Sequence, residues 1–110
     1  MDDVAVRRLA ALAQGTRVKI FKALMRAGPD GLAAGVLAER LEVAPNTLSA
    51  HLSVLSEADL VSARREGRMR IYAVELEAVS QLLSFLVDDC CQGNPEVCAP
   101  IAARSAMSGC

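Results

Sequence analysis

Residues 44–74 read APNTLSAHLSVLSEADLVSARREGRMRIYAV, and two periodicities meet in them. Leu48, Leu52 and Leu55 recur at i, i+4 and i+7, the spacing that lines one face of an α-helix. Pro45 suits the first turn of such a helix, where its missing N–H costs nothing. The same spacing turns Asn46, Thr47, Ser49, Ala50 and Ser53 outward, so the opposite face is short and polar. After Asp59 the pattern becomes that of strands: Leu60-Val61 opens one arm, Ile71-Tyr72-Ala73-Val74 forms the other, and Glu66-Gly67 marks the turn. Between the arms lie Arg64, Arg65, Arg68 and Arg70. A helix with a thin polar face, followed by a basic hairpin, is a form in which a small domain reads DNA.

The flanking sequence supplies the body for that reader. Residues 4–14 place Val6, Leu9, Ala10 and Ala13 on one helical face, and Gly15 breaks the pattern. Thr16 is placed to cap a second helix whose apolar stripe runs through Val18, Phe21, Ala23, Leu24 and Met25. Gly28-Pro29-Asp30-Gly31 is a turn. Residues 32–41 predict a short helix burying Leu32, Val36, Leu37 and Leu41, with Gly35 costing up to about 1 kcal/mol against alanine. Glu42-Val43-Ala44 is then a tight link into the helix at Pro45. Leu76, Val79, Leu82, Leu83 and Leu86 predict a last helix over 76–89, stopped by Gly93-Asn94-Pro95. The order is α-α-α-α-β-β-α: a mainly α winged helix-turn-helix with a β-hairpin. One domain is expected over residues 1–98, with a loose tail over 99–110.

Bulk properties agree. The chain has 110 residues, 53% of them hydrophobic, and only Phe21, Phe85 and Tyr72 are aromatic. Such a length serves one modest core, and Ala, Leu and Val favour packed helices. The net charge is −1, so the molecule as a whole does not attract polyanions, yet a local stripe such as RREGRMR at 64–70 can hold phosphates. The opening MDDVAVRR does not read as a secretory signal, and no charge-free run reaches the ~20 residues a membrane span needs. A cytoplasmic protein with reduced thiols is expected.

On the recognition helix, Asn46 can pair with adenine, and Thr47 and Ser49 can serve a base or a phosphate. Ala50 and Ser53 allow close approach. His51 either touches a phosphate or braces the helix from its flank; with no second histidine in the chain, a metal role is disfavoured. Arg64, Arg65, Arg68 and Arg70 would meet phosphate or probe the neighbouring minor groove. An enzyme would need an activated nucleophile and an oxyanion cradle; there is no glycine-rich phosphate loop, and the one histidine lies in the reading helix.

Leu32 to Val61, with the stretch LAERLEVAPNTLSAHLSVLSEADLV, and AQGTRVKIFKALMRAG at 13–28, together with the hairpin, resemble the ArsR/SmtB repressors over about four-fifths of the chain. The resemblance implies a homodimeric repressor that leaves its near-palindromic DNA operator when a metal or metalloid binds, and that needs no cofactor to hold DNA. The first and last helices would form the dimer. Two departures stand out: Ala44, where the family often has a serine cap, and Asp59, where glycine is common. Aspartate tolerates a left-handed backbone better than most residues.

Some members carry inducer cysteines on the helix matching residues 31–38, where this chain has no thiol, and others a histidine-based zinc site that one histidine cannot supply. What remains is DDCCQGNPEVC at 88–98, which resembles the C-terminal arsenic site of a subset of the family. Soft thiolates select soft ions. In a continuous helix Cys90 and Cys91 would diverge by about 100°, so convergence needs the helix to stop there, and Gly93 and Pro95 supply a stop. Cys98 can then fold back, and three sulfurs suit trivalent arsenic or antimony, As(III) or Sb(III), as inducer. A redox sensor, or a sensor of another soft metal, is the alternative. The helix C-terminus and Asp88 and Asp89 disfavour an activated thiolate, which argues against redox. Cys110 is expected to be a bystander.

Overall fold

The computed structural model describes the backbone of residues 2–90 and side chains from Asp3 to Val87. The first 79 residues make one compact unit, and the chain from Ser80 belongs to another. Helix α1 spans Asp2–Leu12 and α2 spans Gly15–Ala27; α3 is Ala34–Leu41 and α4 is Pro45–Glu57. Strands β1 (Leu32–Ala33), β2 (Val61–Glu66) and β3 (Met69–Val74) form an antiparallel sheet in the order β1-β3-β2. Helix α5 runs over Leu76–Ser84 and passes into a π-helical turn at Phe85–Cys90. Among the described residues no helix is long and apolar enough to cross a membrane.

The core is built from Ile20 and Leu24 of α2, Leu37 of α3, Leu48, Leu52 and Leu55 of α4, and Leu60, all fully buried. Each such side chain contributes about 1.5–3 kcal/mol through removal from water. The leucine spacing of α4 therefore reads as the structure has it.

Helix α1 presents part of its apolar face outward. It turns Ala5, Arg8 and Ala11 inward and leaves Val6 62% and Leu9 39% exposed. Small side chains at i and i+6, on either side of Arg8, let α1 lie close against α2 and α4, while the larger apolar residues look out. Helix α2 begins one residue before Thr16, so Gln14 rather than Thr16 caps it: Gln14 Oε1 accepts the Arg17 N–H at 2.9 Å.

The helix expected from Leu32 starts at Ala34 instead. Leu32 and Ala33 pair with Tyr72 and Ile71 on the outer side of β3, which offers hydrogen bonds that helical spacing alone could not anticipate. Val36 is consequently 39% exposed rather than buried. Gly31 makes this strand possible. Its φ is +70°, and an added Cβ would stand 2.3 Å from the Tyr72 carbonyl oxygen.

Two helices end in the same way. After α3, Glu42 adopts φ +54°, with Glu42 N–H on Glu39 O at 3.3 Å and Val43 N–H on Ala38 O at 3.0 Å. After α4, Asp59 adopts φ +62°, with Asp59 N–H on Ser56 O and Leu60 N–H on Leu55 O, both at 3.0 Å. These paired bonds satisfy carbonyls that a helix end leaves open, and the apolar pair Leu55 and Leu60, both buried, is the usual companion of this closure. Asp59 thus holds the left-handed conformation expected of it.

Candidate nucleic-acid interface

Helices α3 and α4 are separated by Glu42, Val43 and Ala44, the short turn of a helix-turn-helix. With Leu48, Leu52 and Leu55 buried, Asn46, Thr47, Ser49, Ala50 and Ser53 are all exposed on the other face. Ala44 stands at the N-cap with no side-chain bond, and its carbonyl accepts the Leu48 N–H at 2.9 Å. Asn46 Oδ1 compensates by accepting the Thr47 N–H at 3.0 Å. A bidentate contact of Asn46 with adenine would therefore release this bond.

His51 is half-buried, and Arg17 NH1 lies 3.4 Å from its Nδ1. Arg17 Nε also donates to the Ala11 carbonyl at 2.6 Å. One guanidinium thus links the end of α1, the start of α2 and the middle of α4. Of the two roles open to His51, the geometry favours bracing.

The wing is a hairpin with Arg65 opposite Arg70, Arg64 opposite Ile71, and Ala63 opposite Tyr72. Gly67 at φ +64° is the first residue of its two-residue turn, with Arg68 second, the pattern of a type II′ connection. Side chains alternate between faces along a strand, so Arg65 and Arg70 continue the face that carries Ala63 and the buried Tyr72. Arg64 lies on the other face and is engaged there: Nε on Glu66 Oε2 at 2.6 Å, NH1 on Pro29 O at 3.2 Å, and NH2 on Asp30 O at 2.7 Å. The arginine thus ties the wing to the turn after α2. Arg65, Arg68 and Arg70 are exposed and have no ion pair among the described residues. Like charges directly opposite on a sheet destabilise it. An anion lying between Arg65 and Arg70 would remove that cost.

Three residues escaped the sequence reading. Met69 is 54% exposed at the wing tip between Arg68 and Arg70. Arg17 sits among ordinary helix formers and gave no signal. Arg8 is only 6% exposed, and its Nε donates to the Ala58 carbonyl at 3.1 Å and its NH1 to the Ala78 carbonyl at 3.4 Å. Its signal was available: a cation flanked at i−3 and i+3 by the small residues Ala5 and Ala11.

Cys90 ends the π-helical turn. Its side chain, together with Cys91 and Cys98, lies outside the described residues, as does the tail over 99–110.

Residues 12–63 match a helix-turn-helix domain family. Over 86 residues the chain is 33% identical to the nodulation protein NolR of Rhizobium meliloti, covering 78% of this chain and 68% of that one. It is 37% identical over 83 residues to a putative arsenical resistance operon repressor, ArsR, of Halobacterium salinarum, spanning 76% of this chain and 62% of the relative. In three dimensions it resembles a homodimeric winged helix-turn-helix DNA-binding domain from Mycobacterium bovis, described as a possible ArsR-family regulator. The TM-score is 0.65 at 29% identity, over 86% of this chain and 84% of that one.

Proposed function

The chain belongs to the ArsR/SmtB family of winged helix-turn-helix transcriptional regulators, and from that premise we propose that it represses an arsenic-resistance operon in the cytoplasm. The observation that carries the DNA-binding part is the pairing of a short polar α4 face with Arg65 and Arg70, two exposed cations facing each other with no carboxylate between them. A homodimer joined through α1 and α5 would set two α4 helices about one helical turn apart on a near-palindromic operator. Asn46, Thr47, Ser49, Ala50 and Ser53 would face base edges and sugars, and Arg65, Arg68 and Arg70 the phosphates.

The inducer in this reading is trivalent arsenic or antimony, held by Cys90, Cys91 and Cys98. Two things support it: three thiols within nine residues, and a relative described as an arsenical resistance operon repressor. Binding releases the thiol protons and draws residues 90–98 into a compact loop. A tenfold to hundredfold loss of operator affinity requires about 1.4–3 kcal/mol of coupling.

The test is fluorescence anisotropy of the reduced protein on the DNA upstream of its own gene, titrated with arsenite and separately with zinc. Release by arsenite and not by zinc is expected, and Cys90→Ser, Cys91→Ser and Cys98→Ser should each keep DNA binding while blunting release. Cys110→Ser should behave as the parent. Tight binding that arsenite leaves untouched would overturn the inducer and return the thiols to redox or another soft metal.

A further inference from the structure

We propose that Arg8 is the positioning residue that holds the DNA-reading helix at its working angle to α1. The proposal rests on the dimeric reading above. The Ala58 carbonyl lies at the C-terminal end of α4, where the carbonyls have no further helical donor and the helix dipole is negative. Arg8 Nε meets that carbonyl at 3.1 Å, and NH1 of the same planar group reaches the Ala78 carbonyl in the first turn of α5 at 3.4 Å. A guanidinium has a fixed fork of donors, so the two bonds together define how far the end of α4 stands from α5, with α1 as the frame. A buried charge is a poor choice for adhesion alone, because an apolar side chain of similar volume often serves stability as well or better. What the arginine adds is direction.

A second tie keeps α4 from pivoting about this point. Arg17 joins the end of α1, through the Ala11 carbonyl, to His51 in the middle of α4. Both ties run from the α1 region to α4, while α1 turns Val6 and Leu9 outward. With that outward face against a second copy, α1 becomes the base from which each reading helix is aimed. Arg8 also touches α5, the helix that leads to Cys90, so a shift in the first turn of α5 reaches the end of α4 through one side chain.

The test uses duplexes carrying the two half-sites of the upstream DNA, with their separation varied one base pair at a time. The full-length parent should show a sharp optimum. Arg8→Met and Arg8→Lys should remain dimers by sedimentation and keep the parental salt slope on random DNA. Both should lose about tenfold in affinity at the optimum, within the usual range of coupling between sites, and respond more flatly to spacing. Lysine keeps the charge and the stem but not the fork, so its failure to rescue separates aim from charge burial. It also carries the comparison if methionine weakens folding. Variants that keep the parental optimum, or lose affinity equally at every spacing, overturn the proposal. A parent with no optimum overturns the two-half-site reading itself, and the proposal with it.

Discussion

At Ala44 the chain has an N-cap without a cap. Its side chain accepts nothing, and Asn46 bends back to hold the Thr47 N–H instead. Ala44→Ser should supply the absent acceptor and stabilise the protein by about 1 kcal/mol, read as a higher denaturant midpoint. Asn46 would then be released toward DNA, so operator affinity should not fall. Two glycines give opposite expectations. At Gly31 a Cβ meets the Tyr72 carbonyl oxygen at 2.3 Å and the backbone is left-handed, so Gly31→Ala should cost about 3 kcal/mol. At Gly35, inside α3, nothing lies within 4 Å of a new Cβ, so Gly35→Ala should raise stability by about 0.5–1 kcal/mol. Thermal melts of the two variants should move in opposite directions.

The wing shows how an element assigns roles that composition cannot. Four arginines in seven residues look equivalent as a string, and all four contacting phosphate in a dimer would give a salt slope near −7. The register separates them. Arg64 turns to the side of Pro29 and Asp30 and holds the hairpin in place, which leaves Arg65, Arg68 and Arg70 and a slope of about −5. Arg65→Ala or Arg70→Ala should each make the slope shallower by about 1.8 per dimer, because each protomer then neutralises one phosphate fewer. Arg64→Ala should instead leave the slope near the parental value while weakening operator binding, because the wing loses its anchor and no phosphate ligand. Anisotropy at several salt concentrations distinguishes the two. The surface ion pair with Glu66, about half exposed on both sides, adds little; the two carbonyls of the turn matter more.

For the whole molecule the decisive surface is the outward face of α1. Val6 and Leu9 are apolar and exposed while the inward face is lined by alanines and one arginine, the reverse of what a helix on a finished monomer needs. Leu9→Glu should split the dimer in sedimentation runs, abolish cooperative operator binding, and barely change the folding of the single chain, since the side chain looks away from its core. Truncating a core leucine, as in Leu52→Ala, should by contrast cost about 2–5 kcal/mol and remove all activities together.

The sequence by itself determined the helix-turn-helix, the wing and their order, because leucine spacing and turn residues act over a few positions and each short element had its own signal. It also pointed to the polar face of α4 and to the left-handed Asp59. Only the tertiary structure decided that Leu32 and Ala33 join the sheet, since their partners lie some forty residues away on β3. It alone distinguished the anchoring Arg64 from its neighbours and showed which face of α1 turns inward. What Arg8 and Arg17 hold became legible only when the carbonyls of Ala11, Ala58 and Ala78 were brought within reach. Periodicity records which side of a helix is apolar. What a long polar side chain reaches is set by groups distant in sequence, which no local pattern carries.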